Sequence, residues 1–219
     1  MSGPTFRPVG SGALLADFGG EIAEDVFAQV VSLDRALSAQ PPAWFEEAVP
    51  AYTSLLIVFD PLATDHASVA AHLRSLEAAS VDLLATTTHE VPVCYDGDAA
   101  PDVAAAAQTL GLSEEAVIAA HLAGDYRVFM YGFAPGYAYL GGVLRDLHLP
   151  RKAAAVRGHP VGSVMVAGPQ CLITTLPMPT GWWVIGRTSL RVLDAAADRP
   201  FLFEPGDRVR FIRVGAEAL

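Results

Sequence analysis

The chain has 219 residues, of which 52% are hydrophobic and 17% are charged. This balance excludes an intrinsically disordered chain and allows either one large domain or two small ones. The formal net charge of −10 excludes a nucleic-acid-binding or anionic-membrane-binding surface, because both require a basic footprint.

The first 90 residues alternate between strand and helix patterns. A helical stripe is clearest in the second helix, where Val69, Leu73 and Leu76 share one face. The βαββαβ order predicts a ferredoxin-like domain over residues 1–90, with an antiparallel sheet and two helices on one face. In chain order, the predicted elements are a strand at 13–18, a helix at 21–37, strands at 45–50 and 53–59, a helix at 66–79 and a strand at 90–95.

Residues 91–219 are predicted to form a second domain, and the fold class is therefore α+β. After a turn-forming stretch at 96–101, two short helices are expected at 102–110 and 114–121, the second capped by Ser113. Short β-rich runs separated by Gly and Pro then favour a closed or nearly closed β-barrel. These runs are 127–131, 163–167, 172–176, 182–186, 190–193 and 208–214.

The segment 132–142 combines four glycines, one proline and three aromatic residues. This composition disfavours a regular helix or a central strand and predicts a shaped loop. Glycine allows close backbone approach to a ligand, and tyrosine offers a flat face with a hydroxyl tip. Phe133, Pro135, Gly136 and Tyr137 are therefore candidate substrate-binding residues, although a tight structural turn explains the same composition.

A second Gly- and Pro-containing segment, 158–171, carries polar side chains. His159 is a candidate general base, and Ser163 and Gln170 are candidates for hydrogen bonds to an amide. A loop histidine that is only hydrogen-bonded or solvated is the alternative. Cys171 would need an adjacent base to act as a nucleophile, so we expect a small buried side chain instead.

A third segment, 179–188, places Trp182 next to glycine, where it is a candidate cavity wall. Arg187 is a candidate for binding an anion, and Thr188 for contacting the same ligand. Residues 151–219 hold nine of the 14 basic residues against five acidic ones, so anionic ligands should prefer this part of the chain. No Gly-x4-Gly-Lys-Ser/Thr, Gly-x-Gly-x-x-Gly, Gly-x-Ser-x-Gly or His-Glu-x-x-His motif is present.

The longest apolar runs, such as 55–59 and 164–167, are far shorter than the about 20 residues that span a bilayer. Residues 1–12 have Pro and Gly where a signal peptide would carry a basic start and an apolar run, so we expect a cytoplasmic protein. Cys94 and Cys171 form no Cys-x-x-Cys pair or Cys/His cluster, which disfavours a zinc site or a disulfide framework.

These segments, in this order, resemble the allophanate hydrolase subunit 1 family, also called carboxyltransferase subdomains C and D. This family includes the 5-oxoprolinase B subunit and a Kip-type kinase inhibitor. Departures from the family pattern at 159–163, 170–175 and 180–183 predict a different pocket. The matching motifs are 13–18, 49–56, 59–61, 91–95, 111–113, 126–128, 132–136, 140–142, 150–151, 162–164, 181–182, 185–188 and 205–209.

The resemblance implies a cyclophilin-like barrel after the ferredoxin-like domain, and a subunit of an ATP-dependent amide or lactam hydrolase of the 5-oxoprolinase or allophanate hydrolase type. It implies a carboxyltransferase-like partner subunit, a third subunit in 5-oxoprolinase, and inactivity of this chain alone. ATP is the implied cosubstrate together with Mg²⁺, and it would bind either to this chain or mainly to a partner subunit.

Phosphorylation of an amide oxygen would need charged side chains to stabilise the phosphoryl group, and Arg151 and Arg187 are candidates for that role. His159 and Arg187 are the candidate catalytic residues, and Arg151 is also a candidate for substrate binding. The alternative function is a Kip-type inhibitor of a sensor histidine kinase, which would be a non-catalytic binding module. Peptidyl-prolyl isomerase activity is a third and weaker hypothesis.

Overall fold

The computed structural model describes residues 3–20, 22–76 and 87–219. The chain divides into two compact units, Met1–Ala85 and Thr86–Leu219, and each has its own hydrophobic core. Across the described ranges, no helix combines the length and the apolar character needed to span a membrane.

The N-terminal unit is a four-stranded antiparallel sheet with two helices. Its strands are β1 (Thr5–Val9), β2 (Ala13–Asp17), β3 (Phe45–Pro50) and β4 (Ser54–Phe59), and its helices are α1 (Glu24–Ala39) and α2 (His66–Ser75). The strands pair in the order β1-β2-β4-β3. Every second residue of β4 is buried, and Leu55, Ile57 and Phe59 therefore form the floor of the core on which both helices pack.

Strand β1 is not predicted by the sequence pattern, because most of its residues are exposed and show no apolar alternation. It forms by pairing along its whole length with β2, from Thr5 opposite Asp17 to Val9 opposite Ala13. Pro8 fits this position, since an edge strand tolerates a residue without a backbone donor. Arg7 and Asp17 add an ion pair of 2.7 Å on the exposed side.

The prediction that the strand at 90–95 completes the N-terminal sheet is wrong. Residues Thr88–Cys94 do form a strand, β5, but it belongs to the barrel of the second unit. The ferredoxin-like arrangement predicted for residues 1–90 is therefore not confirmed. The end of the helix predicted at 66–79 lies outside the described residues beyond Leu76.

The second unit contains a closed seven-stranded barrel. The strands pair in the order β10-β5-β11-β6-β7-β9-β8, and all pairs are antiparallel except β5 with β11. The remaining elements are β6 (Tyr126–Tyr131), β7 (Ala138–Gly141), β8 (Ser163–Ala167), β9 (Gln170–Ile173), β10 (Trp183–Arg187), β11 (Arg208–Val214), α3 (Val103–Leu110) and α4 (Glu114–Leu122).

Both predicted helices of this unit are confirmed, and so is the cap. The Ser113 side chain accepts a hydrogen bond from the backbone N–H of Ala116 at 3.1 Å. Helix α3 is followed by Gly111, whose φ of 68° is the left-handed conformation that favours glycine after a helix C-terminus.

Two barrel predictions need correction. Residues 138–141, predicted as part of a loop, form strand β7, because Ala138 and Leu140 alternate into the core and the glycines follow only at its end. Residues 190–193, predicted as a strand, make a single bridge between Leu193 and Phe201. The β-branched and apolar pattern there reflects burial of Val192 against the core rather than strand pairing.

Candidate functional site

The barrel wall carries apolar side chains on both of its faces. Alternate residues of all seven strands meet in the interior core, including Val164 and Val166 of β8. Their neighbours Met165 and Ala167 belong to a separate buried cluster on the opposite face of the wall. That outer cluster also contains Tyr137, Leu172, Trp182 and Val184.

A small cavity of about 160 Å³ opens in this outer cluster. Its floor is formed by Met165 and Leu172, and aromatic rings form its walls. Four of the residues predicted to bind substrate line it together: Phe133, Tyr137, Arg151 and Trp182. The structure adds Tyr139, Pro179, Thr180 and Gly181 to the lining.

The turn that covers the cavity is held by its own hydrogen bonds. The N–H of Gly132 donates to the carbonyl of Tyr137 at 3.2 Å, and the Thr175 hydroxyl donates to the carbonyl of Pro135 at 2.6 Å. Gly136 has a φ of 73°, and a side chain there would press on Thr175 and Leu193. The hydrogen bonds and the positive φ show that this segment is a tight structural turn, and its ligand-binding role stays a prediction.

Phe133 has the one positive φ, 68°, found for a non-glycine residue in the described ranges. Such a conformation costs about 1 kcal/mol or more, and residues that adopt it are concentrated at binding sites and active sites. The Phe133 side chain is also 73% exposed, although its ring lies 5.8 Å from that of Tyr137. Phe133 therefore presents an exposed aromatic ring on a strained backbone at the cavity rim.

The cation of the cavity is Arg151. Its guanidinium carbon lies 5.8 Å from the centre of the Trp182 ring, a cation–π distance. Arg151 is exposed, so the positive charge remains available at the rim while the ring beneath it is buried. The Tyr139 and Trp182 rings lie 6.0 Å apart at an edge-to-face angle of 67°. The cavity thus combines flat apolar walls with one cationic edge.

The predicted general base, His159, is not among the residues that line this cavity. It is 9% exposed, and its Nε2 atom has no hydrogen-bond partner among the described residues. Burial lowers the pKa of His159, the Asp102 carboxylate opposes this shift, and the Lys152 charge adds to it. His159 therefore neighbours an ion pair in which Lys152 Nζ lies 2.6 Å from Asp102 Oδ2.

Six other predicted site residues also lie outside the cavity lining, and two of them, Pro135 and Gly136, belong to the turn described above. Arg187 is half-buried in β10, where its backbone pairs with Ser163 and Cys94. Ser163 is buried, and its hydroxyl donates to the Pro160 carbonyl at 2.7 Å, which is a structural role. Gln170 begins β9, and Thr188 lines a second cleft of about 430 Å³ together with Arg191 and Asp194.

A comparison with known families identifies the fold. The family model described as carboxyltransferase domain, subdomain C and D, matches residues 4–203. The chain belongs to this family. The 5-oxoprolinase B subunit of Bacillus subtilis (strain 168) is 34% identical over 218 residues, which is 94% of this chain and 91% of that protein. The 5-oxoprolinase B subunit of Escherichia coli O157:H7 is 46% identical over 123 residues, which is 56% of each chain.

Solved structures place the whole chain in the same carboxyltransferase-type fold. TTHA0988 superposes with a TM-score of 0.85 at 35% identity, over 98% of this chain but 41% of that one. The conserved uncharacterized protein PH0987 from Pyrococcus horikoshii is 38% identical with a TM-score of 0.58, and it matches over nearly its full length. The K. lactis urea amidolyase is 18% identical with a TM-score of 0.76, over 15% of its length, and this likeness shows the fold alone.

Sequence reasoning missed several residues in and next to this cavity. Met165 and Leu172 look like ordinary strand residues, and only the pairing of β8 with β9 puts both on the outer face. Asp102 and Lys152 are 50 positions apart in sequence, so their ion pair has no local signature. Lys152 is the only lysine of the chain, which is the one sequence signal that singled it out.

Proposed function

We propose that this chain is the B subunit of a 5-oxoprolinase-type complex, and that its outer-face cavity binds the lactam substrate. The observation that supports this most strongly is the cavity itself, which has aromatic walls and a single cation, Arg151, at its rim. 5-oxoproline is a small lactam ring with one carboxylate, and each part of it has a counterpart in this lining. The similarity to three 5-oxoprolinase B subunits supports the same assignment.

The carboxylate would pair with the Arg151 guanidinium, since an arginine fork suits a carboxylate in two parallel hydrogen bonds. The ring would pack against Trp182 over the apolar floor of Met165 and Leu172. The volume of about 160 Å³ is well below the roughly 300–1,000 Å³ of pockets for larger ligands, so a small ring suits it better than a nucleotide does.

Tyr137 and Tyr139 are the candidate donors to the lactam oxygen, because both line the cavity. Burial raises the pKa of Tyr137, and the neighbouring Tyr139 adds to the shift. A raised pKa keeps the phenol protonated at neutral pH, which leaves its O–H able to donate. These residues would hold and orient the amide while it is activated.

ATP would supply the activating phosphoryl group, and we assign the nucleotide and its Mg²⁺ to a partner subunit. In the ranges that the structure describes, no three His, Cys, Asp or Glu side chains are grouped to hold a metal ion. His159 and Arg187 remain candidate catalytic residues, although neither lines the cavity. The three curated relatives are all named as 5-oxoprolinase B subunits, so the kinase-inhibitor alternative gains no support from them.

The test is phosphate release from ATP by this chain purified with its carboxyltransferase-like partner and third subunit. We expect release only when 5-oxoproline is present and all subunits are combined. Allophanate serves as the comparison substrate, because it has an amide but no lactam ring to fill the aromatic walls. Release that is independent of 5-oxoproline, or none in the full complex, would overturn the assignment.

A further inference from the structure

The Arg151–Lys152 and Trp182–Trp183 dipeptides contact each other residue by residue. The Arg151 guanidinium lies over the Trp182 ring at 5.8 Å, and the Lys152 ammonium lies over the Trp183 ring at 5.5 Å. Only the first of these pairs lines the cavity. The second pair therefore needs an explanation other than direct contact with a bound lactam.

The backbone on both sides of Arg151 is hydrogen-bonded to the segment that contains Trp182. The indole N–H of Trp183 donates to the carbonyl of Pro150 at 2.6 Å. The backbone N–H of Lys152 donates to the carbonyl of Gly181 at 2.8 Å. These two bonds set the distance between the Arg151 backbone and the Trp182 ring.

The Lys152 side chain provides a third attachment to the same strand. Its ammonium donates to Asp102 Oδ2 at 2.6 Å, and the same oxygen accepts the N–H of Val184 at 2.7 Å. The Asp102 N–H in turn donates to the Val184 carbonyl at 3.1 Å. The Lys152 and Asp102 side chains are only 14% and 17% exposed, and breaking such a largely buried pair leaves one charge without compensation.

We propose that Lys152 and Asp102 are positioning residues, which hold Arg151 over Trp182 so that its guanidinium meets the substrate carboxylate. This inference rests on the proposed function of the cavity. An exposed arginine samples many rotamers, and a fixed backbone on both sides reduces the entropy lost when it binds an anion. Neither Lys152 nor Asp102 lines the cavity, so both act through Arg151.

The experiment compares KM for 5-oxoproline and kcat of the complete complex carrying Arg151→Met, Lys152→Met, or both substitutions. We expect Arg151→Met to raise KM about tenfold. Lys152→Met should raise KM about three- to tenfold with kcat within about twofold of wild type, and the double variant should be no worse than Arg151→Met. Lys152→Arg, which keeps the cation, should have a KM close to that of the wild type.

Two controls keep the result interpretable. Arg157→Met removes an exposed arginine from the same connecting segment and should leave KM unchanged. The Asp102→Asn/Lys152→Met variant removes both charges, and the asparagine oxygen can still accept the Val184 N–H. If Lys152→Met does not fold, the KM of this variant tests the positioning role in its place. Thermal unfolding of each variant identifies the folded ones.

The outcomes separate the two proposals. An unchanged KM in Arg151→Met contradicts the substrate role of the cavity itself. A raised KM in Arg151→Met with an unchanged KM in folded Lys152→Met overturns the positioning role alone. Multiplicative losses in the double variant, or a large fall in kcat from Lys152→Met, would also overturn it, because Lys152 would then act independently of Arg151.

Discussion

His121 is a neutral imidazole enclosed in the barrel core. Its Nδ1 atom lies 2.7 Å from the Tyr95 hydroxyl, and its Nε2 atom lies 3.6 Å from the Cys171 sulfur. Burial lowers the pKa of His121 to about 3 and raises the pKa of the Cys171 thiol. The prediction that Cys171 is a small buried side chain rather than a nucleophile fits this environment, because its thiolate is disfavoured.

The His121 pKa predicts how stability depends on pH. In the unfolded chain His121 takes up a proton near pH 6.5, whereas in the folded chain its pKa is about 3. Its contribution to the free energy of unfolding is therefore fully present above pH 6.5 and is lost as the pH falls. Between pH 7 and pH 5, this group should remove about 2 kcal/mol from the free energy of unfolding. Urea unfolding of His121→Gln at both pH values should show a change smaller by that amount, and identical pH dependence would refute the assignment.

Composition predicted the aromatic part of the cavity, since rings within glycine-rich segments are typical of ligand sites. Phe133, Tyr137 and Trp182 were predicted in this way, whereas Arg151 was predicted as a clamp for a phosphoryl group, and all four line one cavity. His159 does not line the cavity. It was predicted from the chemistry of its side chain alone, whereas in the structure it neighbours the ion pair of Asp102 and Lys152. The environment of a loop histidine is set by tertiary contacts that no local pattern contains.

The parallel pairing of β5 with β11 is fastened at one end by Asp207. Its carboxylate accepts the backbone N–H groups of Thr87 at 3.1 Å and Glu204 at 2.9 Å, and it lies 2.8 Å from His89 Nε2. Asp207 is 8% exposed. Removal of its carboxylate would therefore leave these donors without an acceptor at a largely buried position. Unpaired buried donors cost about 1–3 kcal/mol each.

We expect Asp207→Ala to lower the free energy of unfolding by about 2–4 kcal/mol, measured by chemical denaturation. Asp194→Ala is a suitable control, because Asp194 caps an exposed turn with one bond to the Ala196 N–H. It should cost less than about 1 kcal/mol. Similar losses in both variants would show that Asp207 has no special part in the β5–β11 pairing.

The errors at the level of strands have a common physical cause. The strand predicted at 90–95 corresponds to β5 (Thr88–Cys94), but the same pattern fits either an N-terminal sheet or the barrel. Pairing with β11 decides between them, and that partner lies more than 100 residues away in sequence. Strand β1 was missed because its pairing with β2, which the local sequence does not show, compensates for an unfavourable local pattern.

The whole chain corresponds to one part of larger relatives. It spans 41% of TTHA0988 and 15% of the K. lactis urea amidolyase, whereas it spans 91% of the Bacillus subtilis protein. TTHA0988 and the urea amidolyase therefore extend well beyond the part that matches this chain. The exposed Phe133 at the cavity rim, held on a strained backbone, is a candidate contact for the partner subunit proposed above.

The most direct measurement is glutamate formation from 5-oxoproline, because opening the lactam with water yields glutamate. The full complex should form it with ATP, and a complex lacking this chain should not. The full complex carrying Arg151→Met should need about tenfold more 5-oxoproline for half-maximal rate, while Arg157→Met should match wild type. Equal glutamate formation without this chain, or an unchanged KM in Arg151→Met, would contradict a lactam site on this barrel face.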